Sequence, residues 1–271
     1  MRRKLGSCTW IFGEEPLSVI ATRVRRAGLD GVELFGDIDA VAPSEARDIF
    51  AAEGLEIFSI TPADADISHP DPTVRQPAIA YYEGLMDFAS AIGNPLVSCH
   101  GQVARIKPVS TQAEEDDLLR DAAHQICGFA QRRDLTVVFE ILNRYETHQI
   151  RTVAEGLAFL DKVQADNLRL LPDAYHMNIE EADPFAALLA GGKHIGLYHA
   201  ADSNRCGIGE GHTDFRQQIM ALDEIGYDGP IILETSAPGP NPFTPDKGED
   251  FQNIVEAQLA RSVSRLRALG T

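Results

Sequence analysis

The chain of 271 residues is long enough for one large α/β domain, and its 44% of hydrophobic residues is sufficient for a sizeable core. Its formal net charge of −17 argues against nucleic acid and anionic membranes as partners, because both are bound by concentrated Lys and Arg side chains. The sequence has no apolar run of the roughly 20 residues that span a bilayer, no signal-peptide core and no C-x-x-C pair among its four cysteines, so we expect a cytoplasmic protein with reduced thiols.

Short apolar runs alternate with longer amphipathic segments along the chain, which is typical of a parallel sheet with helices between its strands. In chain order, the predicted strands cover residues 4–8, 32–35, 56–60, 96–99, 136–141, 168–172, 195–199 and 231–234. The predicted helices cover residues 16–27, 44–53, 74–92, 114–132, 152–163, 184–190, 214–225 and 251–269. Eight even βα units favour closure of the sheet over a doubly wound arrangement. We therefore expect one (β/α)8 TIM barrel over residues 1–271 as a single domain.

Two long irregular stretches, 61–73 and 237–248, each follow a predicted strand. In a barrel, this position places them on the catalytic face, where we expect them to form walls or lids. The glycine-rich run 207–211 carries no nucleotide-binding fingerprint, which argues against a dinucleotide-binding fold.

Four successive late strands each end in a side chain that can bind a metal ion. The fifth strand ends at Glu140, the sixth at Asp173, the seventh at His199 and the eighth at Glu234. Any one of them alone is an ordinary polar residue at a strand end, but four at equivalent positions indicate a site. Three carboxylates and one imidazole suit one divalent cation. We expect Mn²⁺, with Mg²⁺ or Co²⁺ as alternatives.

Further polar side chains lie at or just beyond the strand ends. Glu146, His176 and Arg205 follow the fifth, sixth and seventh strands, and each is a candidate for the mouth of the barrel. A solvated loop residue is the ordinary explanation for each of them taken singly. For His100 and Glu33, which also lie at the mouth, we expect a wall or structural role.

The positions of Glu140 and Glu234 suggest chemistry on a carbon next to a ketone. If a cation lies between the two strands, the carboxylates flank a bound ligand from opposite sides. One carboxylate can then remove a proton from one face, and the other can return a proton to the opposite face. A metal ion on the carbonyl and hydroxyl oxygens would stabilise the cis-enediolate formed between these steps. This sequence of steps is epimerisation, whereas return of the proton to the neighbouring carbon is aldose–ketose isomerisation.

The sequence around these residues resembles the D-tagatose/D-allulose (D-psicose) 3-epimerase group of the xylose-isomerase-like TIM-barrel superfamily. The resemblance rests on residues 139–148, 173–181, 199–205, 209–214 and 232–234, with gaps of 33, 26 and 35 residues between the four strand-end side chains. It implies that Glu140, Asp173, His199 and Glu234 bind the metal ion. It also implies that Glu140 and Glu234 are the acid/base pair at C3 of a free keto-sugar.

The same resemblance assigns the sugar-binding residues and the assembly. It implies that Glu146, His176 and Arg205 hydrogen-bond the O1–O3 end of the substrate, and that the chain forms a homodimer or homotetramer. Residues 98–101 and 8–12 differ from the corresponding segments of ketohexose epimerases. The identity of the sugar therefore stays open among a ketopentose, a ketohexose, a keto-sugar acid and a keto-glycoside.

Other functions of the same superfamily are the alternatives. A hydroxypyruvate isomerase or a sugar-acid dehydratase would keep the metal ion and change the fate of the enediolate. A DNA-repair endonuclease would need additional histidine ligands and a basic groove. A non-catalytic sugar-binding barrel is disfavoured, because binding alone does not require a base on each face of a carbon.

Overall fold

A computed structural model of the chain describes residues 2–237, 239, 244 and 247–271. Its parallel strands are β1 (Leu5–Cys8), β2 (Gly31–Phe35), β3 (Glu56–Thr61), β4 (Leu96–Cys99), β5 (Val137–Glu140), β6 (Leu168–Leu171), β7 (Tyr198–Ala200) and β8 (Ile231–Leu233). Its α-helices are α1 (Leu17–Arg26), α2 (Pro43–Ala52), α3 (Pro72–Ile92), α4 (Gln112–Gln131), α5 (Val153–Val163), α6 (Ala174–Glu180), α7 (Pro184–Gly191), α8 (Phe215–Glu224) and α9 (Phe251–Ala268). Short 3-10 turns cover Trp10–Phe12 and Gly192–His194.

The strands pair in the order β6-β5-β4-β3-β2-β1-β8-β7 and close into a barrel. Closure occurs between β6 and β7 through the isolated bridges Leu170↔Ile195 and Asp173↔His199, and we call this junction the β6–β7 seam. The backbone N–H of Gly196 donates to the Leu170 carbonyl at 2.9 Å, and that of His199 donates to the carbonyl of Pro172 at 3.1 Å. The prediction of a single (β/α)8 TIM barrel is confirmed.

The start of β7 differs from the sequence-based prediction, which placed a strand over 195–199. Regular pairing begins only at Tyr198, because the chain passes very close to β6 at Gly196. A Cβ atom at residue 196 would lie 2.7 Å from Arg169 Cβ and 2.9 Å from Val138 Cγ1. Only glycine allows this approach, and the close crossing replaces a continuous ladder with single bridges.

All eight predicted helices are present within about two residues of their predicted ends, which is the usual uncertainty of helix boundaries. The prediction missed α6, which starts directly after Asp173. The Asp173 carboxylate caps this helix by accepting the backbone N–H of His176 at 2.9 Å. A helix of seven residues is too short to show a clear hydrophobic period, so its N-cap is the main local signal.

The long stretches predicted as walls or lids differ in how far the structure describes them. Residues 62–71 are irregular and lead into α3 at the carboxyl end of the barrel, as expected. Most of the stretch 237–248 lies outside the described residues. Among the described helices, none is both long and apolar enough to cross a bilayer.

Candidate active site

The four side chains at the ends of the late strands lie together inside the carboxyl end of the barrel. Glu140, Asp173, His199 and Glu234 are each at most 5% exposed. His199 Nδ1 lies 3.5 Å from Glu140 Oε1 and 3.6 Å from Glu234 Oε2. The backbone bridge Asp173↔His199 across the β6–β7 seam brings the remaining carboxylate beside them. We call these four residues the strand-end cluster.

Two buried atoms of the strand-end cluster have no hydrogen-bond partner among the described residues, namely His199 Nδ1 and Asp173 Oδ2. A buried polar atom without a partner costs about 1–3 kcal/mol, which points to a ligand at this place. Burial, together with the nearby Glu234 carboxylate, raises the pKa of Asp173 to about 7. This excess of buried negative charge and free lone pairs fits a divalent cation.

Glu33 lies directly behind His199 and is itself fully buried. His199 Nε2 lies 3.2 Å from Glu33 Oε1, and Ser59 Oγ donates to Glu33 Oε2 at 2.7 Å. A carboxylate that accepts the Nε2–H proton fixes the tautomer in which the Nδ1 lone pair faces the strand-end cluster. Burial works against the imidazolium form, but Glu33 and the neighbouring carboxylates raise the pKa of His199 well above its ordinary value, so an ion that binds at Nδ1 would displace a proton from that nitrogen.

The sequence-based expectation for Glu33 was a wall or structural role, and in the structure its carboxylate contacts His199 of the strand-end cluster. The residue lies in the middle of β2 and pairs in register with Cys8, the last residue of β1. A carboxylate at such an inward-facing position needs a partner, and this requirement is the sequence signal that would have indicated a contact with His199.

His176 projects from α6 and supplies a hydrogen-bond donor beside the cluster. Its Nδ1 accepts the backbone N–H of Asn143 at 3.2 Å, so the ring proton is on Nε2. Burial and the charge of Arg205 lower the pKa of His176 well below its ordinary value, which keeps the ring neutral. The buried Nε2 has no hydrogen-bond partner among the described side chains and backbone groups. It is therefore available to a ligand oxygen.

Arg205 connects two carboxylates at the mouth of the barrel. Its guanidinium donates to Glu146 Oε1 at 3.2 Å and to Glu234 Oε2 at 3.0 Å. Although burial opposes ionisation, Arg205 and the His199 imidazole lower the pKa of Glu234 to about 2. Arg205 also lies over the ring of Tyr175, with 4.9 Å between the guanidinium carbon and the ring centroid. Glu146 and Arg205, which the sequence placed near the mouth, thus lie close to the strand-end cluster.

The backbone of Arg205 adopts the left-handed conformation, with φ of 60°, in a turn held by Asp202. The Asp202 carboxylate accepts backbone N–H groups of Ser203 at 2.7 Å, Gly209 at 2.6 Å and Thr213 at 3.0 Å. None of these bonds goes to a residue of the strand-end cluster, so Asp202 fixes the loop, and the loop geometry determines where the guanidinium lies.

Replacement of Asp202 by alanine is expected to destabilise the protein by about 1–3 kcal/mol, because three partly buried backbone N–H groups lose their acceptor. The turn that orients Arg205 should also loosen, so we expect turnover to fall with little change in cation affinity. Thermal unfolding and steady-state kinetics measure the two effects, and Asp202→Asn, which keeps one acceptor oxygen, should be intermediate. An alanine variant with unchanged Tm and turnover would contradict this role.

Trp10 is a contact of the cluster that the sequence-based interpretation missed. Its indole Nε1 donates to Glu234 Oε1 at 3.2 Å from the 3-10 turn after β1. The sequence indicated a difference from related proteins in segment 8–12, but no contact between Trp10 and Glu234. His100 is buried and hydrogen-bonds the Gly101 carbonyl through Nδ1 at 2.7 Å, as a wall residue would.

A cavity of about 490 Å³ lies beside α3 and is lined by residues such as Asp64, Tyr81 and Gln102. None of the four cluster residues lines this cavity. The chemistry therefore centres on the buried polar cluster rather than on this more open cavity, because buried atoms without partners identify a ligand site more directly than cavity volume does.

Comparison with known proteins identifies the family. Residues 21–262 match the model of the xylose isomerase-like TIM barrel family. The chain belongs to this family. A ketose 3-epimerase from Arthrobacter globiformis is 30% identical over 229 residues, which cover 83% of this chain and 79% of that protein.

Solved structures share the fold of this xylose isomerase-like barrel. The D-psicose 3-epimerase of Clostridium cellulolyticum H10, solved with D-tagatose, superimposes with a TM-score of 0.88 and 20% identity over 98% of this chain and 99% of that chain. The 3-keto-D-glucoside 4-epimerase of E. coli gives a TM-score of 0.85 and 21% identity over 97% of this chain and 100% of that chain. The predicted resemblance to ketose 3-epimerases and the prediction of an isomerase-class carbohydrate enzyme are confirmed.

Proposed function

We propose that the protein is a metal-dependent ketose 3-epimerase that inverts C3 of a free keto-sugar, with Mn²⁺ as its cation. The whole chain acts as one TIM-barrel domain, and the active site lies at the carboxyl ends of β5–β8. Glu140, Asp173, His199 and Glu234 are the proposed metal ligands. The relative from Arthrobacter globiformis, named a ketose 3-epimerase, supports the reaction class.

The proposal rests on one observation above all: Glu140 and Glu234 both lie close to the same imidazole nitrogen, Nδ1 of His199. The two carboxylates come from β5 and β8 and lie 3.5 Å and 3.6 Å from His199 Nδ1, which has no hydrogen-bond partner among the described atoms. An ion bound at this nitrogen would have a carboxylate on either side. A ketose held by that ion would then present C3 to two bases from two strands, as inversion requires.

When bound, the divalent cation supplies stabilisation of the negative charge that develops on the oxygens of the substrate. The chain itself moves the protons. Glu234 is ionised at neutral pH, because Arg205 and His199 hold its pKa near 2, so it can begin one direction of the reaction as a base. Glu140, which must start this direction protonated, then gives its proton to the opposite face of C3, while Glu234 keeps the proton it removed. The two carboxylates therefore exchange roles for the opposite epimer.

Three further residues are proposed to bind the O1–O3 end of the sugar. His176 Nε2–H is a buried donor without a partner among the described residues, and it can donate to a ligand oxygen that gains charge. Arg205 supplies fixed positive charge between Glu146 and Glu234. Glu146 accepts hydrogen bonds from Asn143 and Arg205, which leaves carboxylate lone pairs for a sugar hydroxyl.

The test is proton NMR in D₂O with Mn²⁺ on D-fructose, D-tagatose, L-ribulose and a keto-sugar acid. Deuterium at C3 with appearance of the 3-epimer is the expected result, and relative rates rank the substrates. Deuterium at C1 or an aldose product would contradict epimerisation in favour of aldose–ketose isomerisation. A 3-keto-glycoside belongs in the same panel, because the E. coli 3-keto-D-glucoside 4-epimerase has the same fold. If deuterium exchange occurs only with the 3-keto-glycoside, the substrate is a glycoside rather than a free sugar.

Loss of the Glu33 carboxylate is expected to weaken Mn²⁺ binding by about 10–100-fold, the usual cost of removing the partner behind a metal-binding histidine. In Glu33→Gln, the His199 ring loses the charged acceptor that makes its Nδ1 lone pair a better donor. Ser59→Ala should give a smaller loss, because it removes only the hydrogen bond that orients Glu33. Calorimetric titration with Mn²⁺ measures both affinities.

The matched control for Ser59→Ala is Ser262→Ala. Ser262 is equally buried; its hydroxyl donates to the Gln258 carbonyl and accepts the Ile208 N–H, and neither partner belongs to the strand-end cluster. Its substitution should lower stability without changing Mn²⁺ affinity. Unchanged affinity in folded Glu33→Gln would show that Glu33 does not support the metal site.

A further inference from the structure

Cys8 is the last residue of β1 and lies beside the strand-end cluster, yet its thiol has no role in the proposed epimerisation. β1 pairs with β2 through Cys8↔Glu33 and with β8 through Ser7↔Leu233. Cys8 therefore lies between the strand that carries Glu33 and the strand that leads to Glu234. Its side chain is 0% exposed, and its sulfur lies 3.4 Å from Glu33 Oε1.

Cys8, His199 and Glu234 each offer a metal-binding atom, and these three atoms lie within 4.8 Å of one another. The 3.6 Å between His199 Nδ1 and Glu234 Oε2 is close to the spacing of two ligands on one zinc ion. Ligands about 2.1 Å from a tetrahedral ion are about 3.4 Å apart, and a sulfur ligand at about 2.3 Å is about 3.6 Å from its neighbour. A small inward movement of these side chains thus completes three-point coordination.

We propose that Cys8, His199 and Glu234 form a second cation-binding mode that is selective for thiophilic divalent ions such as Zn²⁺ and Cd²⁺. Thiolate, imidazole and carboxylate are the ligand types that zinc prefers, whereas Mn²⁺ favours oxygen ligands. Binding replaces the S–H bond of Cys8 by a sulfur–metal bond, and the displaced proton passes to solvent.

The thiophilic mode and the proposed manganese site exclude each other. Both use the His199 ring and the Glu234 carboxylate, and the single lone pair of a neutral imidazole serves one ion at a time. The competition between the two ions rests on the proposed function, but binding of the thiophilic ion does not. The physical consequence is that Zn²⁺ displaces Mn²⁺ from the ligands that the two modes share.

A direct binding test uses Cd²⁺ as the probe and needs no turnover. The chelator-treated full-length protein is titrated with Cd²⁺ while the ultraviolet thiolate-to-cadmium charge-transfer absorption is recorded. The wild type should show a saturable band that is absent in both Cys8→Ser and Cys8→Ala. Cys99→Ser is the matched control, because Cys99 is equally buried at the end of β4 but belongs to neither group of metal-binding side chains found among the described residues.

A second measurement follows inhibition of the Mn²⁺-loaded enzyme by Zn²⁺. The Zn²⁺ concentration for half inhibition should rise by more than about tenfold in Cys8→Ser, since even loss of a partner behind a ligand costs at least that much affinity. Equal inhibition of the wild type and Cys8→Ser, or a cadmium band that survives in both Cys8 variants, would overturn the second mode. Failure of every sugar to react would leave the cadmium result intact, so the two proposals fail separately.

Discussion

Replacement of either Glu140 or Glu234 by glutamine is expected to lower kcat by about 10²–10⁴-fold while the barrel remains folded. Glutamine keeps the size of the side chain and much of its hydrogen bonding, but it cannot take up or return a proton. Steady-state epimerisation of the best ketose in the panel measures the loss. Near-normal turnover in either variant would contradict the assignment of the acid/base pair.

The two variants should also differ from each other in isotope exchange. Each carboxylate is proposed to remove the C3 proton from one epimer only, so each variant should block deuterium incorporation from one epimer and allow slow exchange from the other. NMR in D₂O, started separately from each epimer, gives this pattern. Identical loss of exchange from both epimers would indicate that the carboxylates act as metal ligands alone.

Glu115→Gln is the matched control for these substitutions. Glu115 is another fully buried glutamate, but it accepts the backbone N–H of Ser110 at 2.8 Å and pairs with Arg105 on the loop before α4. Its neutralisation removes a buried charge outside the strand-end cluster. We expect a lower Tm with exchange retained from both epimers, which separates the effect of losing a buried charge from the loss of a catalytic base.

Removal of the cation with EDTA is expected to abolish turnover and lower Tm, and Mn²⁺ should restore both. The cluster gathers three carboxylates in a buried space, and a bound cation offsets their repulsion. A ligand at 100 times its Kd stabilises the folded state by about 2.7 kcal/mol, so the shift in Tm is measurable by thermal unfolding. Turnover that is indifferent to the chelator would rule out the proposed metal dependence.

Asp173→Asn tests whether the stabilisation by Mn²⁺ depends on the proposed ligands. Asparagine caps a helix as well as aspartate does, so α6 should keep its N-terminal hydrogen bond while the anionic ligand is lost. Tm of this variant should no longer rise with Mn²⁺. Asp183→Asn is the control, because Asp183 caps α7 by accepting the Ala186 N–H at 3.0 Å, away from the cluster. Loss of the Mn²⁺ response in both variants would point to capping rather than metal binding.

Periodicity and strand ends explain why the sequence predicted so much of the fold. Each long helix has enough turns to show its buried face, and parallel strands of a barrel bring their carboxyl ends to one side. The four residues of the strand-end cluster could therefore be located from their positions alone. The helix α6 and the late start of β7 could not, since one depends on a single capping side chain and the other on a close crossing at Gly196.

The contacts around the cluster depend on three-dimensional details that a linear pattern does not contain. Glu33 is 166 residues from His199, and Trp10 is 224 residues from Glu234, yet each pair is in contact. The sequence marks such residues as polar or aromatic groups near strand ends without naming their partners. The tautomer of His176 is likewise fixed by a backbone N–H that only the folded chain brings to Nδ1.

The β6–β7 seam has a consequence for how the barrel opens. Its two strands are joined by isolated bridges, and Asp173 and His199 lie on opposite sides of it. A cation held by both residues would connect β6 to β7. The frequency of local unfolding at the seam would then depend on whether the ion is bound. The amide protons of Gly196 and His199, which donate across the seam, would then exchange with solvent at a rate set by the ion. Amide protons in the uninterrupted ladder between β1 and β2 would instead report unfolding of the whole barrel.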